Sequence, residues 1–487
     1  LAIRHDLFRR LMGFSPRQMD EITVSSAVSR LTSDTYNINQ LLARTQRLGV
    51  RAPILLLGGI AMMLSMDWVL SLVLIALLPI IGIVVYFVTK TSVPLYTRQQ
   101  SVLDQVVTVV QENITGIRVI KALSKTDYEK ERFRRVNREL TEVDRKAGSV
   151  SAITNPAATL VLNLGLTLVV VAGAYRVSAG AVRSGVIVAF LQYFVMILNA
   201  MLGITKIFVM FSKGQASANR VASVLHAPED LPLLPAADPI PGAPHIAFRN
   251  VTFSYNGREP DVENLTFSVG HGQTLGILGA TGSGKTTLLL LLLRLYDPDS
   301  GTILLDGQDI RSIPPEQLRR KFGVVFQNDF VAEGTAADNI RFFRDISDDA
   351  LAQAVDFAQA DFLRERPEGL KTPVQVRGNN LSGGQKQRLL IARALAAKPE
   401  VLILDDASSA LDYATDASLR QSLYRNFQDT TTVVVAQRVS SLRHADLILV
   451  LDAGKIIGAG SHESLMADCE TYRHIALTQM GAEKEGF

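Results

Sequence analysis

Three uncharged runs in the first half of the chain, Trp68–Thr89, Ala147–Tyr175 and Ser184–Thr205, constrain the fold more than any other feature. Each is as long as the roughly 20 mainly apolar residues a bilayer span needs. Hydrocarbon offers no partner to backbone N–H and C=O groups, so a segment crossing it must bond to itself as a helix. Ala52–Met66 is shorter, and reaches spanning length with Val50 and the aliphatic stem of Arg51. Asp67-Trp68 then becomes a very tight turn with the tryptophan at an interface. This predicts an all-α transmembrane domain over 1–226, with spans at about 50–66, 68–89, 150–175 and 184–210. Pro79 and Pro156 fall inside or near spans, where neighbouring helices compensate a kink.

Basic residues orient these spans. Arg4, Arg9, Arg10, Arg17 and Arg30 precede the first, and Arg98–Lys146 is crowded with Arg and Lys. The positive-inside rule puts both on the cytoplasmic side, and the short loops at Asp67 and Arg176–Arg183 outside. The second half then also lies in the cytoplasm. A formal net charge of only +3 shows no nucleic-acid footprint. A single cysteine, Cys469, excludes an intrachain disulfide.

Residues 227–244 are rich in Pro and Ala and read as an extended linker. His245-Ile246-Ala247-Phe248 opens a second domain, 245–480, with strand-like alternation, and 481–487 is a polar tail expected to fray. Asp452-Ala453-Gly454-Lys455 reads as a hairpin turn. This domain carries Gly279-Ala280-Thr281-Gly282-Ser283-Gly284-Lys285-Thr286, a P-loop with an apolar run, Thr274–Leu278, before it and a leucine-rich run, Thr287–Leu295, after it. Its glycines permit a nest of backbone N–H groups around phosphates. Lys285 can reach the β- and γ-phosphates of ATP, and the Thr286 hydroxyl can ligate Mg²⁺. Val401–Asp405 is a buried-strand run ending in a carboxylate, suited to hold Mg²⁺ beside them. Leu381-Ser382-Gly383-Gly384-Gln385 is a glycine-opened helix start whose positive end suits a phosphate.

Together these motifs resemble the nucleotide-binding domain of ABC proteins, with the α/β P-loop NTPase fold. The resemblance implies further assignments. Tyr255 matches the aromatic that stacks on adenine; Gln327 matches the glutamine that contacts Mg²⁺ and links the site to the membrane domain. Ser409–Asp412 matches the loop facing a partner across a dimer. Gly279–Thr287, Ser382, Gly383, Gly384 and Gln385 are the expected nucleotide contacts, with Thr286, Gln327 and Asp405 at the metal. Leu381–Gln385 is expected to close over ATP held by a second subunit. Glu112–Lys121 resembles the cytoplasmic loop that docks on such a domain in ABC exporters; the charged run Glu129–Arg135 reads as a solvated helix surface.

Two positions depart from the family pattern. Asp406 stands where a glutamate polarises the attacking water, and its carboxylate falls about 1–1.5 Å short, a misplacement that can cost about a hundredfold in rate. Gln437 stands where a histidine is usual; it can hydrogen-bond a γ-phosphate but carries no titratable charge. Asp406, Gln437, Gln327 and Lys285 are thus the expected catalytic set of a weakly hydrolytic site. The chain resembles a half-transporter, in particular the degenerate-site subunit of heterodimeric bacterial multidrug exporters. Six spans are usual there, so the first two are expected to be missing and Leu1 not to be the native start.

The resemblance implies ATP-driven export across the cytoplasmic membrane with a second, non-identical half-transporter. A homodimer using Asp406 as base is the alternative, and an ATP-gated channel or regulatory subunit is the alternative of another class. Polar positions in the spans are few: Asn155, Asn163, Gln192, Tyr193 and Asn199. They read as helix–helix contacts, and the lack of an ionisable group well inside favours a small amphiphilic or lipophilic cargo such as drugs, lipids or peptides.

Overall fold

A computed structural model describes residues 2–485 except 229–230, 236–237 and 328–329. The chain divides into two units, one of Leu1–Arg9 with Ser25–His226, the other of Arg10–Val24 with Ala227–Phe487.

The first unit is helical throughout. Its main helices are Val50–Met66, Trp68–Thr115, Thr126–Ala152, Thr154–Ser178 and Ser184–Leu225. Among the described residues, Val24–Met66, Thr159–Ser178 and Ser184–Met201 contain helix long and apolar enough to cross a membrane, and Trp68–Val84 is a shorter apolar stretch. Several helices outrun the apolar runs that predict them; Trp68–Thr115 continues through Pro79 and Pro94. The run Ala147–Tyr175 is instead divided, one helix ending at Ala152 and the next starting at Thr154.

The tight turn at Asp67 is present. Its backbone is extended (φ −159°, ψ 117°) between two helices, and its carboxylate accepts the Val69 and Leu70 N–H groups at 3.0 and 2.9 Å. Arg176 Nε donates to the same side chain at 3.1 Å. The core of this unit joins Met63, Leu70, Val169, Phe190, Phe194 and Ile197. Small residues set the helix spacing: a Cβ on Gly165 would lie 2.3 Å from the Phe194 ring, and one on Gly59 2.8 Å from Ile197. The Asn155 side chain lies outside what the structure describes.

The second unit is an α/β domain, with twelve strands among the described residues: β1 (Ile246–Phe253), β2 (Val262–Val269), β3 (Thr274–Gly279), β4 (Ser300–Leu305), β5 (Gln308–Asp309), β6 (Phe322–Val325), β7 (Gly334–Thr335), β8 (Pro373–Val374), β9 (Val401–Asp405), β10 (Thr431–Val435), β11 (Leu447–Asp452) and β12 (Lys455–Gly460). A six-stranded sheet has the order β12-β11-β3-β10-β9-β6, parallel except for the antiparallel edge strand β12. Leu275–Leu278 of β3 and all of β9 are buried, as strands covered on both faces require. An antiparallel sheet, β2-β1-β4-β5, packs through Phe248, Val251 and Ile303 onto Leu288, Leu289 and Leu292 of the helix Lys285–Leu292. A second core joins Leu389, Ile391 and Leu395 of the helix Gly383–Leu395 to Leu402 and Leu404 of β9.

The hairpin β11–β12 turns through Ala453 and Gly454, both at positive φ, with Asp452 paired to Lys455. The last helix, Glu470–Glu485, takes in most of the expected tail; 486–487 lie outside the described residues.

The second unit includes a segment the spans give no reason to place there. Arg10–Val24 packs with residues 227–487: Gln18 Nε2 donates to the Pro228 carbonyl at 2.7 Å, and the Tyr296 hydroxyl to Asp20 at 3.0 Å. The linker is also tied down. Arg294, at the end of the helix Lys285–Leu292, is fully buried and donates to Pro232 O at 2.7 Å, Ile313 O at 3.3 Å and Asp297 at 3.1 Å.

Candidate nucleotide site

The parallel sheet ends its strands β3, β9 and β10 at one edge, where open α/β folds bind ligands. The P-loop follows β3 and leads into the helix Lys285–Leu292. Gly282 and Gly284 sit at φ +84° and +96°, which a side chain would strain. At Gly284 a Cβ would also meet Val262 at 2.7 Å, and at Gly279 the Ser283 hydroxyl at 2.4 Å.

A cavity of about 220 Å³ opens here. It is lined by Thr281, Gly282, Gly284, Lys285, Thr286 and Thr287, and opposite them by Gln327, Asp405, Asp406 and Gln437. Residues far apart in sequence therefore converge because β3, β9 and β10 lie side by side and β6 borders β9. Gly279, Ala280 and Ser283 belong to the same loop without lining the cavity.

One ammonium, that of Lys285, shares the lining with the carboxylates of Asp261, Asp405 and Asp406. Lys285 Nζ donates to the Gly279 and Ala280 carbonyls at 2.8 and 2.7 Å. Burial pushes its ammonium down, against the pull of Asp405 and Asp406. Asp405 is buried, and its carboxyl is pushed up by burial and then by the neighbouring Asp406, while Lys285 and the Gln327 N–H act the other way. A buried Asp405 carboxylate with the Asp406 carboxylate next to it, beside a hydroxyl and an amide, is a donor set that a hard dication fits.

Asp406 follows β9 with φ +52°, its N–H bonded to Val435 O at 2.9 Å. Its carboxylate lies 3.5 Å from Gln327 Nε2. Gln437 is exposed at the cavity wall, and its carbonyl accepts from Gln479 Nε2 at 2.8 Å. Tyr255 stands beside the lined surface; its hydroxyl is 3.4 Å from Thr287 Oγ1, and its ring meets Phe253 and Tyr296 edge-on at 4.9 and 5.2 Å. Burial pushes its phenol up.

Ser382, Gly383, Gly384 and Gln385 do not line this cavity. They start the helix Gly383–Leu395 with a capping box: Gln385 N–H donates to Ser382 Oγ at 3.3 Å, and Ser382 N–H to Gln385 Oε1 at 3.1 Å. Ser382 and Gly383 are exposed. Asp412, at the end of the loop Ser409–Asp412, caps the next helix through Thr415 N–H at 2.9 Å, which holds its carboxyl down.

Two residues escape sequence reasoning. Asp261 lines the cavity and accepts the Tyr255 N–H at 2.9 Å, so one carboxylate joins the aromatic to the P-loop. Gln387, one turn into the helix Gly383–Leu395, donates to the Asp406 carbonyl at 3.1 Å and accepts the Ala410 N–H at 3.2 Å. It thereby ties the capping-box helix to the loop carrying Asp406. Neither stands in a motif.

A helical membrane domain followed by a P-loop domain with this cavity and a separate, exposed helix start defines an ATP-driven membrane transporter half. The chain belongs to the ABC transporter family. The family's transmembrane region matches residues 1–201 and its ATP-binding part, described as ABC transporter, residues 262–409. An uncharacterised ABC transporter ATP-binding protein of Mycobacterium tuberculosis H37Rv is 35% identical, covering 98% of this chain and 83% of that one. The Bacillus subtilis protein YfiB is 35% identical over 99% of this chain and 84% of its own length. A fatty acid ABC transporter ATP-binding/permease protein of Mycobacterium bovis is 34% identical over 90% and 70%. The solved structure of a bacterial Atm1-family ABC exporter with ATP bound superposes with a TM-score of 0.84 at 26% identity, covering 98% of this chain and 85% of that one. The chain is thus an ABC exporter half with fused membrane and ATP-binding domains, in a family that works as dimers within a membrane and couples ATP hydrolysis to transport.

Proposed function

We propose that this half exports amphiphilic or lipophilic molecules, such as drugs, lipids or peptides, across the cytoplasmic membrane beside a non-identical second half, its own ATP site hydrolysing weakly. The observation that carries this reading is the pairing of Asp406 and Gln437 on one cavity wall with an otherwise complete P-loop. Asp406 is held through its backbone at both N–H and C=O, so the shorter carboxylate has little freedom to advance. Meanwhile Ser382–Gln385 is intact and lies outside that cavity, with Ser382 and Gly383 exposed, as a group serving another chain's nucleotide would be.

In this reading Lys285 and the P-loop N–H groups hold the phosphates, Tyr255 stacks on adenine, and Gln437 bonds the γ-phosphate. Thr286, Gln327 and Asp405 would hold Mg²⁺, which supplies charge neutralisation at the β- and γ-phosphates. ATP closes the two nucleotide domains and turns the membrane helices outward, a two-state switch biased by γ-phosphate contacts. The ATP-binding domain lies in the cytoplasm. A fatty acid transporter among the relatives supports a lipophilic cargo.

The test compares ATP turnover by the chain purified alone and assembled with a candidate second half, each with and without Asp406→Glu/Gln437→His. The chain alone is expected to turn over slowly, and the double variant to raise hydrolysis at its own site in the assembled complex about a hundredfold. Robust turnover by the unmodified chain alone would instead overturn the non-identical partner and favour a homodimer.

A further inference from the structure

A second constellation lies at the end of the antiparallel sheet, built from His245, His271 and Asp306. His245 directly precedes β1, Asp306 directly follows β4, and His271 lies in the turn between β2 and β3. Because β2, β1 and β4 are neighbours, the three side chains meet, and the Asp306 N–H bonds to the His245 carbonyl at 2.9 Å. One ring nitrogen of each histidine and one Asp306 oxygen all lie within 4.8 Å of one another.

The decisive atom is His245 Nε2. His245 is 1% exposed, and this nitrogen has no hydrogen-bond partner among the described residues. The Thr431 hydroxyl lies 2.7 Å from His245 Nδ1, accepts the Gly272 N–H at 3.1 Å and lies 3.3 Å from the Gly270 carbonyl. In the tautomer that donates Nδ1–H to Thr431, Nε2 is a buried lone pair that no protein donor meets, which is costly unless something else does. An imidazole whose other N–H is anchored in this way is the arrangement of a metal-ligating histidine.

The other two donors complete the set. His271 Nε2 lies 2.9 Å from Asp306 Oδ1, and the His271 ring stacks on that of His245 at 4.0 Å. Two cations could oppose a metal here, and neither does so strongly. Lys321 Nζ is 3.7 Å from Asp306 but 2.6 Å from Glu400, so its charge is already met. A charged His245 is disfavoured by burial and by His271 beside it.

We propose that His245, His271 and Asp306 bind a divalent transition metal of the Zn²⁺ class, with Thr431 as the positioning residue behind His245. Two imidazoles and one carboxylate suit Zn²⁺ over Mg²⁺ or Ca²⁺, which take oxygen ligands. Tetrahedral bonds of about 2.1 Å set ligand atoms about 3.4 Å apart, so closure takes a shift of about an ångström. His271, whose side chain is 62% exposed, is free to make it by turning out of the stack. Metal would then staple β1, β4 and the β2–β3 turn.

The experiment uses the full chain in detergent, stripped with chelator and titrated with Zn²⁺ and, as spectroscopic probe, Co²⁺. Wild type is expected to retain about one Zn²⁺ per chain after desalting and to give a visible Co²⁺ band of low coordination number. His271→Ala and Asp306→Asn, both solvent-reachable positions, are expected to lose the band and retention. Thr431→Val is expected to weaken Zn²⁺ about 10–100-fold while keeping the band. Nucleotide binding checks that each variant is folded. Equal Zn²⁺ retention by wild type and the folded His271→Ala/Asp306→Asn protein overturns the proposal, as does wild type that retains none.

Discussion

Arg294→Met tests how much one side chain adds to the backbone bonds from Leu234 to Arg311 and from Ile240 to Asp306 that also fasten the linker. The guanidinium makes three bonds within 3.3 Å: to Asp297, to the Pro232 carbonyl in the linker, and to the Ile313 carbonyl. Bonds to a charged group contribute about 1.5 kcal/mol each at the low end, so about 4.5 kcal/mol is removed. Methionine fills much of the same volume and needs no desolvation of a charge, which returns about 1–2 kcal/mol. Asp297 and Pro232 lie where water can reach them, so only the Ile313 carbonyl is left buried. The net loss is about 2.5–3.5 kcal/mol, which for a unit of this size lowers its unfolding midpoint by about 5–14 °C. The assay pairs thermal unfolding of the purified chain with limited proteolysis by proteinase K. Cleavage within 231–235 is expected to accelerate well below the unfolding midpoint, because the linker loosens first. A midpoint shift below about 1 °C with unchanged linker cleavage would refute the reasoning.

Four further perturbations follow from the geometry. Gly284→Ala places a side chain at φ +96° and 2.7 Å from Val262; strain of about 1–3 kcal/mol should weaken ATP binding about tenfold or more, measured by equilibrium titration. Ser382→Ala removes half of the capping box at an expected cost of about 1 kcal/mol in domain stability, read by denaturant unfolding; ATP binding to the chain's own P-loop should not change. Gly165→Ala drives a methyl into the Phe194 ring and should destabilise the membrane unit by about 1–3 kcal/mol, with Phe194→Leu restoring part of the loss in detergent melting. Asp405 has a raised pKa, so Mg²⁺–ATP binding should fail on acidification at a higher pH than for an ordinary carboxylate. Asp406→Asn removes one cause of the rise and should move that limb to lower pH in a binding assay. The sign for unliganded stability is opposite, since a carboxyl whose pKa folding raises contributes more as pH falls.

The chemistry of the site was legible wherever it is local. The P-loop declares itself because tight phosphate nests need glycine at fixed offsets, and Gly282 and Gly284 do take positive φ. The strand ending in Asp405 was readable because burial on both faces leaves a continuous apolar run. Asp261 and Gln387 were not, since a lone carboxylate and a glutamine inside a helix look like ordinary surface residues until the fold brings Asp261 to the cavity and Gln387 to the backbone of Asp406. The family resemblance assigned Gln385 to nucleotide; its side chain oxygen is engaged in the capping box. Arg10–Val24 was missed for another reason. Its hydrogen bonds, from Arg10 to the Ala227 carbonyl, Gln18 to the Pro228 carbonyl and the Tyr296 hydroxyl to Asp20, join residues more than two hundred positions apart, and no periodicity marks those. In the membrane unit, apolarity marked the helices but not their ends, because helix Trp68–Thr115 continues as an amphipathic, charged-decorated rod once it leaves the apolar run.

That helix has a mechanical consequence. Forty-eight residues at 1.5 Å each make a rod of about 72 Å, against about 30 Å of hydrocarbon. Roughly 40 Å is therefore left to project from one face of the bilayer. A tilt of about ten degrees at the membrane displaces the far tip by about 7 Å, more than a full helical turn. Read in the other direction, a movement of several ångströms at the tip needs only a slight rotation among the packed helices near Gly165 and Phe194. The tip near Gly116 thus trades distance for force, and small repacking in the lipid suffices to answer a large excursion outside it.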